Sequence, residues 1–239
     1  MSQNVLITGT GREMALGFHL VRRCLERGDL VFAGVRKPSE ALERLQGEYP
    51  ESLHILMMDI SKTESVRAAY ETVIQVTDHL DLLINNAVTT ATDCNKNVLE
   101  ADPDLMADVV NVGAVGPLRI IQTFLPLLEK SEMKPLIVNV SSEAGSIGAC
   151  YRSNMTDYAI TKASLNMITK TLFNAFKEAG KDVRIMALHP GWMRTNEGNK
   201  EAPLIPREHA ETLLELFEER RGAEDEELFV TYEGGVYPW

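Results

Sequence analysis

The sequence predicts an α/β fold: a doubly wound parallel sheet of about seven strands, with helices on both faces, in a single domain covering residues 1–239. Three observations carry this reading. Short runs rich in Val, Ile and Leu alternate with longer segments whose apolar residues recur at helical spacing, almost to the end of the chain. The apolar runs are brief and uninterrupted, as in strands buried on both faces. A glycine-bearing turn, Thr8-Gly9-Thr10-Gly11, follows the first of them. Repeated strand–helix units of this kind build parallel sheets through right-handed crossovers.

The elements can be justified in order. Val5–Thr8 is a buried strand, and the helix after it, Met14–Arg27, places Ala15, Phe18, Val21 and Leu25 on one face. Gly28-Asp29 stops that helix. Leu30–Val35 is the second strand, Pro38–Glu48 a charged helix, Leu53–Met58 the third strand, Thr63–Thr77 the third helix and Leu82–Ile84 the fourth strand. Asp102–Lys130 reads as one long helix bent near Gly116-Pro117, because proline removes a backbone donor. Leu136–Val140 is the fifth strand, Asp157–Ala179 a long helix and Val183–Leu188 the sixth strand. Pro206–Arg221 is the last helix and Leu228–Val230 a late strand, with the acidic run Glu224–Glu227 as a solvated turn between them.

Charge narrows the partners. With 24 Lys and Arg against 35 Asp and Glu, the net charge is -11. A nucleic-acid surface must be basic to neutralise phosphates, so nucleic acid is not expected as a partner. The same balance opposes a polybasic membrane contact. Cys24, Cys94 and Cys150, and the five histidines, show no metal-ligand spacing, so no metal is expected. Sparse cysteine suits a reducing, cytoplasmic setting. The N-terminus leads straight into a strand without a signal-peptide pattern, and no apolar run reads as long enough to cross a bilayer.

The turn from Thr8 to Gly17 joins the first strand to the first helix. In a Rossmann-type sheet it lies at the carboxyl edge, where a helix N-terminus holds a pyrophosphate. Gly9, Thr10, Gly11, Arg12 and Met14 are therefore candidate cofactor residues. A plain strand-to-helix turn accounts for the same residues, since two glycines of the usual fingerprint are absent. Arg36, with Lys37 beside it, ends the second strand, at the position that faces the adenosine ribose. An acid there holds the 2′-hydroxyl of NAD; a base neutralises the 2′-phosphate of NADP. NADP(H) is thus favoured, with NAD(H) the alternative, and Arg12 can clamp the same phosphate; a solvent-facing arginine is the plainer explanation. Asp59, followed by Ile60, can accept from the adenine amino group or serve as a helix cap.

Tyr158 and Lys162 lie one helical turn apart on one face. A free phenol titrates near pH ~10, and a neighbouring ammonium lowers that value toward useful acid–base chemistry. Ser142, after the fifth strand, can reach a substrate oxygen or simply bond the turn backbone. Asn111 is a poor helix former inside a long helix. It is either packed and satisfied or marks a helix opened locally to hold a water. Asn85-Asn86-Ala87 closes the fourth strand at the same edge.

Taken in order, Thr8-Gly9, Asp59, Asn85-Asn86-Ala87, Asn111, Ser142, Tyr158-x-x-x-Lys162 and Pro190-Gly191 resemble the short-chain dehydrogenase/reductase family over nearly the whole chain. His189-Pro190-Gly191-Trp192 and the run Tyr158–Asn166 are similar to its carbonyl-reductase-like branch, which includes the bacterial C-factor proteins and the insect sniffer reductase. The resemblance implies an oxidoreductase moving hydride between NADP(H) and a small carbonyl or alcohol substrate. It implies Tyr158 as general acid or base, Lys162 lowering its pKa and binding the nicotinamide ribose, Ser142 polarising the carbonyl, and Asn111 holding a relay water. Asn86 and Ala87 are implied to run along the cofactor, with Pro190, Gly191 and Thr195 over its nicotinamide end. Pairing through the two long helices into a homodimer or homotetramer is implied as well.

Glu13, Ala15 and Val88 depart from the family, which usually has glycines at these places. A carboxylate aimed at a pyrophosphate repels it, so the Glu13 side chain is expected to turn outward. The same departures leave two alternatives: a cofactor-sensing or signalling protein with little turnover, and a structural protein held together through its long helices. Substrate selection is expected in Thr89–Ala101 and Trp192–Pro206. Cys150, Tyr151 and Met155 add to the pocket or are ordinary packing, and His189 reads as a structural residue.

Overall fold

The computed structural model describes residues 2–196, 199–223 and 225–239. Seven strands form one sheet: β1 (Asn4–Thr8), β2 (Leu30–Val35), β3 (Leu53–Met57), β4 (Leu82–Asn85), β5 (Leu136–Val140), β6 (Arg184–His189) and β7 (Phe229–Thr231). Their order is β3-β2-β1-β4-β5-β6-β7, and every pairing is parallel. The chain winds outward from β1 to β3, then crosses back to β4 on the other side of β1. That reversal opens a crevice at the carboxyl ends of β1 and β4, where ligands bind in sheets of this kind.

The helices are α1 (Leu16–Glu26), α2 (Glu40–Glu48), α3 (Thr63–Val73), α4 (Met106–Val110), α5 (Gly116–Leu128), α6 (Thr156–Glu178) and α7 (Pro206–Gly222). Alternation along each strand divides the core in two. Val5 and Ile7 pack with Phe18, Leu42 and Phe217 from α1, α2 and α7. Leu6 faces the other way, with Val66, Ile120, Phe124 and Phe176 from α3, α5 and α6. A doubly covered parallel sheet therefore follows from strands that are largely apolar on both faces.

Three expectations need correction. The first helix starts at Leu16 rather than Met14, after a turn in which the Ala15 N–H donates to the Arg12 carbonyl at 3.0 Å. Glu13 is thus outside the first helical turn. The long helix is irregular one turn before Gly116-Pro117: Asn111–Val115 is a π-helical turn between α4 and α5. Pro117 starts α5, where its missing donor costs nothing. Finally, the continuous helical stretch Pro103–Leu128 is long and apolar enough, by length and composition, to cross a membrane. Its apolarity has a core explanation, since Ile120, Ile121, Phe124, Leu127 and Leu128 are buried beneath the sheet.

Of the acidic run, Glu224 lies outside the described residues. Asp225 is less free than a solvated turn implies. It accepts from Arg220 at 2.6 Å and pairs with Arg184 at 3.4 Å, tying the end of α7 to β6.

Close approach of α1 to the sheet depends on Gly17. A Cβ there would lie 2.5 Å from Asn86 Nδ2 and 2.6 Å from the Gly9 carbonyl oxygen. Gly17→Ala is expected to lower unfolding stability by about 1–3 kcal/mol, the usual cost of overpacking. Urea unfolding should show an earlier midpoint with an unchanged slope; an unchanged midpoint would mean that helix and strand can separate without loss.

Candidate active site

A cleft of about 1340 Å³ opens along the carboxyl edge of the sheet. Among the candidate residues, Gly9, Gly11, Arg12, Arg36, Asp59, Ile60, Asn86 and Ala87 line it on the β1–β4 side. Ser142, Tyr158, Lys162, Pro190, Gly191 and Thr195 line it on the β5–β6 side. Three candidates do not line it. Thr10 is fully buried, its hydroxyl 3.4 Å from the Gly34 carbonyl. Met14 projects to solvent and is 49% exposed. Asn111 lies in the π turn, where Arg119 donates to its side-chain oxygen at 2.6 Å and to its backbone carbonyl at 3.3 Å.

The nucleotide side is built from backbone held by side chains. Gly9 turns with φ +73°, and a Cβ on it would lie 2.7 Å from Ala87 Cα. Thr8 Oγ accepts the backbone N–H groups of Asn86 and Ala87, both at 3.1 Å. Asn86 returns its amide to the carbonyls of Thr8 and Gly9 at 2.9 and 3.2 Å. The ends of β1 and β4 are thereby locked together beside the crevice. Glu13 is exposed and does not line the cleft, in keeping with the outward orientation expected of it. Asp59 accepts the Ser61 hydroxyl at 2.7 Å, and that bond holds its carboxyl below the usual range. It does not cap α3, whose N-cap is Lys62. Among the described residues, Arg12, Arg36 and Lys37 form no ion pair. An open, basic-ended crevice with a left-handed glycine at its first turn fits a dinucleotide carrying an extra phosphate.

The opposite wall is fixed by polar contacts between β5 and α6. The Asn139 amide donates to Thr169 at 2.9 Å, and Ser141 donates to Asn166 at 2.6 Å. Lys162, 2% exposed, donates from Nζ to the Val140 carbonyl at 2.6 Å. Burial lowers its pKa to about 8, so it remains mostly charged at neutral pH. Its Nζ is 5.5 Å from the centre of the Tyr158 ring. Burial raises the Tyr158 pKa, contact with Ser142 lowers it, the Glu143 charge raises it and Arg152 lowers it. Two positive charges lie near the phenol: Arg152, and the Lys162 ammonium, which is also bonded to Val140.

Sequence reasoning missed Glu143 and Arg152 and gave His189 only a structural role. All three line the cleft. Ser142 donates to Glu143 at 2.5 Å, Arg152 forms an ion pair with Glu143, and the Glu143 N–H donates to His189 Nδ1 at 3.1 Å. The available signal was the position of Glu143, next to Ser142 in a strand-end turn. Met155, also in the cleft, precedes α6 in the left-handed region at φ 54°. Its N–H donates to the Cys94 carbonyl at 2.8 Å and its carbonyl accepts from Ala159 at 2.9 Å. Beside it, the Val98 N–H donates to the Ser153 carbonyl at 2.8 Å.

Sheet order and crevice define a doubly wound α/β fold of the nucleotide-binding type. The sequence model of the family described as short chain dehydrogenase matches residues 3–203. An uncharacterised oxidoreductase of Schizosaccharomyces pombe is 29% identical, over 96% of this chain and 96% of its own. The NADPH-bound carbonyl reductase from chicken fatty liver superposes with TM-score 0.85 at 27% identity, covering 100% of this chain and 99% of that one. The carbonyl reductase Sniffer of Drosophila melanogaster gives TM-score 0.87 at 26% identity, with 100% of both chains covered. The chain belongs to the short-chain dehydrogenase family and is an oxidoreductase of that family.

The buried Lys162 yields a stability prediction. It keeps its proton to about pH 10.5 in the unfolded chain but only to about pH 8 when folded. Between these values the unfolded chain binds the extra proton, so this group makes stability rise with pH. Its penalty is fully present below about pH 8 and amounts to about 3 kcal/mol at ~1.4 kcal/mol per pH unit. Loss of the Val140 bond takes back about 1 kcal/mol. Lys162→Met should therefore unfold at higher urea than the parent at pH 7, and the difference should fade as pH rises from 8 to 10.5. A difference independent of pH would show that the lysine is not buried as a charge.

Proposed function

We propose that the protein reduces a small carbonyl compound with NADPH, Tyr158 acting as the acid. One observation carries the reading: Ser142, Tyr158 and Lys162 share a wall of a cleft whose far side presents Arg12, Arg36 and Lys37. The NADPH-bound chicken reductase, of the same fold, supports the choice of cofactor.

When bound, a reduced nicotinamide would supply a hydride, a hydrogen nucleus carrying two electrons, which leaves the carbonyl oxygen still in need of one proton. The proton must come from this chain. As the carbonyl carbon gains hydride, the carbonyl oxygen keeps the electron pair of the broken π bond and takes the Tyr158 proton. Ser142, at the end of β5, orients that oxygen against the phenol. Lys162 fixes α6 on β5 through the Val140 carbonyl and offers its ammonium to the ribose hydroxyls. Of the residues lining the cleft, Arg12, Arg36 and Lys37 would hold the 2′-phosphate, and Pro190, Gly191 and Thr195 would border the nicotinamide end. Asn111 is assigned to the π turn that supports the floor of the site; Arg119 occupies its side-chain oxygen.

Tyr158→Phe should leave NADPH binding nearly intact and lower turnover by about a hundredfold to ten-thousandfold, the usual worth of general acid catalysis. Steady-state reduction of a panel of aldehydes, diketones and ketoacyl thioesters checks this. Turnover within about threefold of the parent would remove Tyr158 from the acid role, and no turnover of any carbonyl by the parent would favour the sensor reading.

NADPH should bind tighter than NADH by about tenfold or more, since a charge-assisted contact is worth about 1.5–3 kcal/mol. Arg36→Asp should invert that order, because an acid at the end of β2 accepts from the free ribose hydroxyls. Fluorescence titration with both cofactors decides it. Equal or tighter binding of NADH by the parent would overturn the cofactor assignment.

A further inference from the structure

Glu143 opens a short turn, Glu143–Gly145, directly after β5 and Ser142. Its carboxylate is held by two partners and approached by a third. Ser142 Oγ lies 2.5 Å from Oε2, Arg152 pairs with Oε1, and His189 Nδ1 lies 3.6 Å from Oε2. Those partners come from the end of β5, the loop before α6 and the end of β6, and all face the cleft around Tyr158. From α6 the charged or titratable neighbours are Tyr158 itself and Lys162, whose Nζ is turned to the Val140 carbonyl.

Elementary hydrogen-bond accounting fixes the proton positions. A carboxylate only accepts, so the Ser142 hydroxyl must donate to Glu143. His189 Nδ1 accepts the Glu143 backbone N–H at 3.1 Å, so its ring proton is on Nε2 and the imidazole is neutral. Arg152 is then the full positive charge against Glu143. A serine hydroxyl stabilises a neighbouring phenolate, or polarises a carbonyl, only by donating, so Glu143 competes with both for the single Ser142 proton. What Ser142 Oγ has left is acceptor capacity, part of it used by the Ala144 N–H at 3.2 Å.

We propose that Glu143 is a positioning residue for proton transfer, keeping Tyr158 in its proton-bearing form by drawing the Ser142 hydroxyl to itself and placing a fixed negative charge in the cleft that holds the phenol. Arg152 tempers that charge and holds the carboxylate in place. The inference rests on the acid role of Tyr158 and adds a residue that the role itself does not name. On this wall the Glu143 charge pushes the phenol's pKa up, while contact with Ser142 and the Arg152 charge pull it down. Carbonyl reduction uses the protonated tyrosine and alcohol oxidation its phenolate. The arrangement therefore extends reduction to higher pH and delays the onset of oxidation.

Tyrosinate absorbance, titrated in the cofactor-free protein with Tyr158→Phe subtracted at each pH, reads the ionisation of Tyr158 alone. Glu143→Gln keeps the shape of the side chain and removes the charge. It should lower the ionisation pH by roughly one unit, the effect of losing a like charge at this range. Arg152→Met should raise it. The acid limb of the pH profile for alcohol oxidation with NADP+ should shift down in Glu143→Gln in parallel. A merely structural role for the pair gives no shift, or shifts of one sign. An unchanged ionisation pH in Glu143→Gln, or movement of both variants in the same direction, overturns the proposal. If Glu143→Gln does not fold, Arg152→Met alone decides: an upward shift supports the proposal and an unchanged or lower value overturns it. The titration needs neither cofactor nor substrate, so a parent without carbonyl turnover would refute the reductase reading separately.

Discussion

The site depends on the register between α6 and β5. A parallel strand buried on both faces offers no polar side chains of its own, yet β5 carries Asn139 within it and Ser141 and Ser142 just beyond. Each of the first two finds a partner on α6, in Thr169 and Asn166, and Lys162 adds the Val140 carbonyl. Buried polar groups are costly when unpaired, so a slip of α6 along the strand would strand several at once. The helix is thus held at one height against the sheet edge, and Tyr158, one turn before Lys162, is held with it. The first side of the crevice is set in the same manner, by Thr8 and Asn86 across β1 and β4.

Much of this was legible from residues alone. Strand runs such as Val5–Ile7 and Leu136–Val138 are apolar at consecutive positions, as a doubly covered sheet requires, and the alternation with helices then fixed the class. The glycine turn, Arg36 and the Tyr158–Lys162 spacing were local features, each readable within a few residues. The helix start was less legible because Met14 and Ala15 suit a helix by propensity, while the chain spends them on a turn. The π turn was hidden for another reason. Gly116-Pro117 is the conspicuous breaker, yet the irregularity begins at Asn111, where Gly113 lets the backbone come so near α6 that a Cβ would lie 2.4 Å from Thr161 Cγ2. That is a tertiary contact, which sequence spacing does not carry.

The cluster around Glu143 was illegible for a similar reason. Its members stand at positions 143, 152 and 189, on three separate elements, and each has an ordinary local explanation. Only the parallel order of β5 and β6 brings their ends side by side. The expectation for Lys162 shows the converse. Spacing placed it beside Tyr158, but did not show that its ammonium would also be bonded to a strand carbonyl.

The left-handed Met155 has a consequence for how such a scaffold can change its substrate. A non-glycine residue in that region is strained by about 1–3 kcal/mol and persists only where its surroundings hold it. Here the restraint comes from the Cys94 carbonyl, reinforced by Val98 on Ser153, both in the stretch that borders the substrate region. The rim of the pocket and the first turn of α6 are therefore one mechanical piece, sewn together three residues before the phenol. Lengthening or shortening the 89–101 stretch would drag Tyr158 along with the rim. New substrates are admitted most cheaply by exchanging side chains on a rim of fixed length, so specificity in this chain can drift residue by residue while its loop lengths stay frozen.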